Sequence, residues 1–219
     1  MVRLGVILRQ PFQGDFFWAL EVAQSNHQGG AGTPWKPFWG RSFFGACRSR
    51  CLSFGDYNGG VKFKLRDFQR GDFETLWKLD QECFPEGIAY TRFELAAYMK
   101  RSGSFTVVAE AEMEILGFIV AEANRRGVGH IVTVDVSPAT RRFGIASELL
   151  RVAENRLRAA RCRLVRLESA VDNFIALAFY ERHQYEVAKT LPHYYSTGLD
   201  ALLLEKDLLS HAPESKLLT

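Results

Sequence analysis

Residues 61–208 predict an α/β fold, a central mixed and twisted sheet of about six to seven strands with helices on both faces. Two observations carry this. Short runs rich in branched residues alternate with segments whose apolar residues recur at helical spacing. The strand–helix–strand order also brings buried strands side by side through right-handed crossovers. Composition supports a packed domain: of 219 residues, 47% are hydrophobic and 13% aromatic. That is too rich in core formers for a disordered chain, and no apolar run reaches the roughly 20 residues of a membrane helix.

The elements follow in order. Val61 to Leu65 reads as a short strand. Asp72 can cap a helix in which Phe73, Leu76, Trp77, Cys83 and Phe84 recur at helical spacing. After Pro85-Glu86-Gly87, Thr91-Arg92-Phe93-Glu94 is a capping box for a second helix through Lys100. Phe105 to Glu112 and Ile115 to Ala121 form a hairpin turning at Glu112 to Glu114. His130 to Val136 is a strand of branched residues ended by Ser137-Pro138. The helix from about Phe143 to Ala160 carries Ile145, Leu149, Leu150, Ala153 and Leu157 on one face. Leu164 to Glu168 is a strand, Asp172 or Asn173 caps a helix to about Arg182, and Tyr185 to Leu191 and Asp200 to Leu204 are the last strands.

The ends differ from this body. Residues 1–60 hold 10 of the 18 Gly, three of the four Trp, six basic and three acidic residues, whereas residues 61–219 hold 22 of each charge. The first segment sustains neither period and is broken by Gly and Pro, so it reads as a poorly ordered extension, or as an upstream stretch preceding a true start near Val61. Pro11, Gln13, Gly14 and Asp15 interrupt any signal-peptide apolar stretch. Residues 209–219 read as a flexible tail. Cys47 and Cys51 are a lone C-x3-C with no second pair, read as incidental thiols because a zinc site needs about four ligands. Cys83 and Cys162, in apolar surroundings, read as reduced core thiols of a cytoplasmic protein, with no metal expected.

The electrically neutral body argues against a general nucleic-acid binder, although eight Arg between residues 141 and 166 face only Glu148 and Glu154. That cluster reads as a solvated face with charge near a phosphate ligand. The loop Arg141-Arg142-Phe143-Gly144-Ile145-Ala146 lies between a buried strand and a helix start, where unpaired N–H groups and the helix dipole favour phosphate. Neither a Walker sequence nor G-x-G-x-x-G is present.

On these residues the chain resembles the GNAT acetyltransferases, whose acetyl-CoA loop reads Q/R-x-x-G-x-G/A; Arg141, Gly144 and Ala146 match, and Ser137-Pro138 precedes the loop as in many members. The resemblance spans about Val61 to Leu208. More narrowly it is similar to N-terminal acetyltransferases of the ribosomal-protein-alanine type, through Arg166-Leu167-Glu168, Asp172-Asn173 with Ala178-Phe179-Tyr180, Tyr194-Tyr195, and the ending Asp200 to Leu208.

The resemblance implies a GNAT fold and acetyl-CoA as donor. It implies that Val134, Asp135 and Val136 present backbone groups to the acetyl and pantetheine portion, and that Arg141, Arg142, Phe143, Gly144, Ile145, Ala146 and Ser147 hold the pyrophosphate. Asn173 would contact the cofactor and Tyr180 would protonate the departing thiolate; seven residues apart on a helix, about two turns, they can face one cleft. A terminal amine with pKa near 8 must lose a proton before attacking a thioester, and Glu168 is the candidate base, through water. On position alone Glu168 is equally compatible with a solvated strand end, and Tyr180 with a core tyrosine. His130, His183 and His193 are scattered, so direct transfer is expected rather than a covalent enzyme intermediate.

Ile88, Tyr90, Tyr194 and Tyr195 correspond to walls around a peptide N-terminus, with Tyr90 standing where some relatives place Trp. The function so implied is acetylation of a protein α-amine, first of all on a ribosomal protein, by a monomer or weak dimer. A GNAT acting on a small amine or lysine, and a silent acyl-CoA-binding module, are the rivals.

Overall fold

Eight strands form one sheet in the order β1-β2-β3-β4-β5-β6-β8-β7. The computed structural model describes residues 52–55, 62–84 and 88–210. The rest of the leader, with Cys47 and Cys51, the 85–87 segment and residues 211–219 lie outside the described residues. The strands are β1 (Leu52–Gly55), β2 (Phe63–Asp67), β3 (Ser104–Ala111), β4 (Glu114–Ala123), β5 (Val128–Val136), β6 (Leu164–Ala170), β7 (Glu186–Leu191) and β8 (Ala201–Asp207). The helices are α1 (Phe73–Cys83), α2 (Arg92–Met99), α3 (Ile145–Ala159) and α4 (Phe174–Arg182). All neighbours are antiparallel except β5 and β6, which α3 joins as a parallel pair.

Alternation along the strands divides the core between two faces. Val107, Ala109, Ile119, Ala121, Ile131, Val165 and Leu167 pack with Leu149, Leu150, Ala153 and Leu157 of α3 and Phe179 and Tyr180 of α4. Their neighbours Val108, Phe118, Val120 and Val132 point the other way, onto Leu76, Leu79 and Cys83 of α1 and Leu95 and Tyr98 of α2. Helices thus cover both faces, as expected of strands that are apolar on both sides.

Two local expectations are modified. β1 adds an edge strand inside the segment read as irregular; four residues with Gly55 at the end are too short for periodicity to register. Asp72 does not cap α1. Its carboxylate accepts from Arg66 at 2.6 and 3.0 Å and from the Gln69 N–H at 2.7 Å, so a cross-element ion pair outcompetes the cap. The α2 capping box forms, with Glu94 N–H donating to Thr91 Oγ1 at 3.3 Å and Thr91 N–H to Glu94 Oε2 at 2.9 Å. Asn173, not Asp172, caps α4, its Oδ1 accepting from Ala176 N–H at 3.2 Å.

The position of α3 is fixed by a buried polar cluster. Lys206 Nζ of β8 donates to both Glu154 oxygens at 2.9 Å, and Tyr185 Oη donates to Glu154 Oε1 at 3.1 Å. Glu154 and Lys206 are 5% and 8% exposed, so removing Glu154 strands the Lys206 charge away from water, whereas removing Lys206 leaves Glu154 with Tyr185 and with Arg158 Nη2 at 3.3 Å. Glu154→Leu is expected to lower the unfolding free energy in urea by about 3–5 kcal/mol, and adding Lys206→Met should recover much of that loss.

Candidate active site

β5 and β6 pair at only three positions, Val128 with Leu164, Gly129 with Val165 and His130 with Arg166. Beyond them β5 continues to Val136, still paired with β4, and β6 continues to Ala170, still paired with β8. The strands therefore part, and among the described residues no strand meets the backbone of Ile131 to Val136 across the gap. An edge of this kind can pair with the amides of a ligand. Val134, Asp135 and Val136 lie on it.

At the end of β5 the chain makes the short helical turn Pro138–Thr140 and enters α3 through two left-handed residues, Arg142 at φ 70° and Gly144 at φ 81°. Gly144 accommodates this without strain; its carbonyl accepts the first helical bond, from Glu148 N–H at 3.1 Å. The N–H groups of Ile145, Ala146 and Ser147 precede that bond, at the positive end of the helix dipole. Arg142 is exposed beside them. Arg141 turns inward: its Nε donates to Val136 O at 3.2 Å and its Nη2 lies 3.6 Å from Cys83 Sγ, so it braces the loop against β5. Ser147 Oγ lies 3.0 Å from His183 Nε2, linking the starts of α3 and the end of α4.

Tyr180 is fully buried, and its hydroxyl has no hydrogen-bond partner. Burial, with the Asp135 charge adding to it, raises its pKa, so the phenol keeps its proton. A buried donor without an acceptor fits a site whose acceptor arrives with a ligand. Together with the unpaired strand edge and the helix start, it is the arrangement expected to hold acetyl-CoA.

Glu168, 4% exposed on β6, lies beyond the parting point. Its Oε2 is 3.0 Å from His130 Nε2, and His130 Nδ1 is 3.4 Å from Glu122 Oε1. Glu122 also meets Arg101 at 3.5 Å. Burial lowers the His130 pKa, but the hydrogen bonds and charges of Glu122 and Glu168 outweigh it and raise it to about 9. Sequence reasoning set His130 aside as scattered. The signal available was its place in the last pair before two parallel strands part, which only the β5–β6 register supplies.

The proposed peptide walls divide. Tyr194 and Tyr195 stack edge to face at 5.2 Å, and burial followed by the nearby Glu168 charge raises both phenols. Ile88 is half-buried against the α1–α2 layer. Tyr90 is 1% exposed, with its hydroxyl donating to Val132 O at 3.4 Å, and backs this wall from the interior.

This fold and cleft define an acetyltransferase of the GNAT class. The family model described as "Acetyltransferase (GNAT) family" matches residues 73–185, and the chain belongs to that family; it is an acetyl-CoA-dependent N-acetyltransferase. More particularly, it is 31% identical over 143 residues to an uncharacterized N-acetyltransferase of Methanocaldococcus jannaschii, covering 65% of this chain and 90% of that one. It is 26% identical over 163 residues to an N-alpha-acetyltransferase of Sulfolobus acidocaldarius, covering 68% and 94%. The crystal structure of Ard1 from Thermoplasma volcanium superposes with a TM-score of 0.62 at 26% identity, covering 67% of this chain and 98% of that one.

The His130 cluster has a consequence for stability. Its pKa is raised from 6.5 to about 9, so the folded state binds the proton more tightly than the unfolded chain. The resulting stabilisation is complete below the unfolded value and is lost as pH rises through the folded one. We expect His130 to contribute a loss on the order of 2 kcal/mol between about pH 7 and 9, so that the fall in unfolding temperature across this window is smaller in His130→Gln than in the wild type by calorimetry. Asp80, raised to about 7 by burial, titrates mainly below this window.

Proposed function

We propose that the chain acetylates the α-amine of protein N-termini by direct attack on an acyl thioester. The observation that carries this is the placement of Glu168 and its His130 contact inside the cleft, flanked by the Tyr194–Tyr195 pair. N-alpha-acetyltransferases among its relatives support the same substrate class.

Acetyl-CoA, when bound, supplies an activated acyl group and a thiolate leaving group. The β5 edge at Val134, Asp135 and Val136 would hold its amide-bearing arm, and the Arg142 to Ser147 loop with Asn173 would hold its phosphates and orient it. The residues of the chain then handle protons. A terminal ammonium has pKa near 8 and must be neutral to attack. Glu168, through a water molecule, takes the proton. Behind it His130 and Glu122 form a line leading outward, the side chains of Glu168, His130 and Glu122 being 5%, 19% and 21% exposed. With both ring nitrogens protonated, His130 donates from Nε2 to Glu168 and from Nδ1 to Glu122 and holds the base in place, so the proton received at Glu168 returns to solvent through the water that delivered it. Tyr180 keeps its phenolic proton and donates it as the thiolate departs.

Tyr194, Tyr195 and Ile88 grip the first residues of the peptide, with Tyr90 behind them. The similarity of Tyr194-Tyr195 and Asp200 to Leu208 to the ribosomal-protein-alanine type favours a ribosomal protein among the substrates. We further assign the body to residues 61–208, with 1–60 an extension that lends it the edge strand β1 and 209–219 a tail, and place the enzyme in the cytoplasm as a monomer or weak dimer.

CoA release would be measured with acetyl-CoA and peptides beginning Ala, Ser or Met, each paired with an N-blocked, lysine-containing copy. Turnover confined to free N-termini is expected; turnover of the blocked copies would move the assignment to lysine. Glu168→Gln should lower kcat about 10²-fold or more, and Tyr180→Phe should lower it at least tenfold, with both proteins folded. Full activity in Glu168→Gln would remove Glu168 as the base.

A further inference from the structure

The Tyr194–Tyr195 pair stands on the connection between β7 and β8, outside any helix or strand. β7 ends at Leu191, which pairs with Ala201, so the chain from Pro192 to Asp200 leaves the sheet and rejoins it at one point. Two of its residues are left-handed, His193 at φ 50° and Gly198 at φ 82°. Glycine adopts this region freely. A histidine there is strained, and surrounding bonds must hold it.

Asp200 supplies the bond at His193. Its Oδ1 accepts from the His193 N–H at 2.8 Å. Within that closure Tyr195 N–H donates to Leu199 O at 3.0 Å and Gly198 N–H to Tyr195 O at 2.8 Å, while His193 Nδ1 lies 3.3 Å from Gly198 O. Asp200 also reaches out of the loop, its backbone carbonyl accepting from Val171 N–H at 3.2 Å. Val171 follows the last residue of β6 and precedes Asn173, the cap of α4. One half-buried residue thus joins the base of the tyrosine loop to the turn between Glu168 and Asn173. The tyrosines lie close enough to this turn for the Glu168 charge to act on both phenols and the Asp172 charge on Tyr195.

We propose that Asp200 is a positioning residue for the peptide: its carboxylate holds His193 left-handed, and that conformation sets the direction in which Tyr194 and Tyr195 face the cleft. This rests on the peptide-wall role assigned above to the two tyrosines. The carboxylate touches no reacting atom. What His193 requires of it is an acceptor oxygen, which an asparagine side chain also offers and an alanine does not. Without the acceptor, the exposed His193 N–H can turn to water, so the fold loses little. The backbone at residue 193 is then free to leave the left-handed region, and Tyr194, the next residue, turns with it.

The test uses the full chain with Asp200→Ala and Asp200→Asn. In hydrogen exchange without substrates, Asp200→Ala should speed exchange across residues 193–199 by about tenfold or more, with the core strands unchanged, and Asp200→Asn should follow the wild type. With a peptide beginning Ala, KM for peptide should rise about tenfold in Asp200→Ala, while KM for acetyl-CoA and the unfolding temperature stay near the wild type. Asp200→Asn should keep KM for peptide within about twofold of the wild type. Unchanged loop exchange in Asp200→Ala, an equal rise in both KM values, or the same KM rise in both variants overturns the assignment. So does an unfolded Asp200→Ala, which would make Asp200 a residue of the whole fold. Because exchange is read without substrates, the expected exchange pattern with no peptide turned over by the wild type leaves the Asp200 tie standing and overturns the proposed function instead.

Discussion

The parting of β5 and β6 after the His130–Arg166 pair is the constraint from which the rest of the site follows. A sheet zipped along its length would satisfy its own backbone and leave no edge for a ligand's amides. The gap stays open because each strand is held on its outer side: β5 by β4 up to the Gly117–Val136 pair, and β6 by β8 down to Ala170–Ala201. Gly117 is part of that hold. A Cβ there would lie 2.6 Å from the Asp135 carbonyl oxygen, so only glycine lets β4 approach the end of β5 this closely.

Around the gap lie Tyr180 Oη, Ser169 Oγ and one oxygen of Asp135, buried atoms without a hydrogen-bond partner. A natural core seldom keeps several such atoms together, because each costs about 1–3 kcal/mol when buried without a partner. Their concentration around one cleft is what a site complete only with its ligand leaves behind. The buried Glu154–Lys206 pair does the opposite. Fully satisfied, it fixes α3 and so the direction of the helix start toward the gap.

Much of this was legible from residue order. Helices on both faces, the Thr91–Glu94 capping box and the glycine turn into α3 are local features, written in period and spacing, and they reappear within a residue or two. The family was legible for the same reason. What the chain concealed depends on register between distant strands. Whether His130 faces Glu168 or solvent is decided by which residue of β6 stands beside it, 38 positions away, and no periodicity reports that. Asp72 shows the converse: a residue suited to a cap is taken by an arginine from the preceding strand, a competition that local propensity does not register. Tyr90 was placed on the peptide wall by its loop, yet the Asp80 carboxylate draws its backbone inward and its ring into the α1–α2 layer.

His130 and the neutral groups across the cofactor strand solve opposite problems in one cleft. His130 and Arg101 together balance the charges of Glu122 and Glu168, so an incoming ammonium is drawn by the carboxylate of Glu168 itself, which then accepts its proton. On the other side of the cofactor strand, a second full negative charge would pull the ammonium away from the thioester and raise the cost of the departing thiolate. Keeping that side as neutral as its residues permit, with the Tyr180 phenol and the Cys83 thiol both protonated, confines the negative field to the face where the amine must arrive.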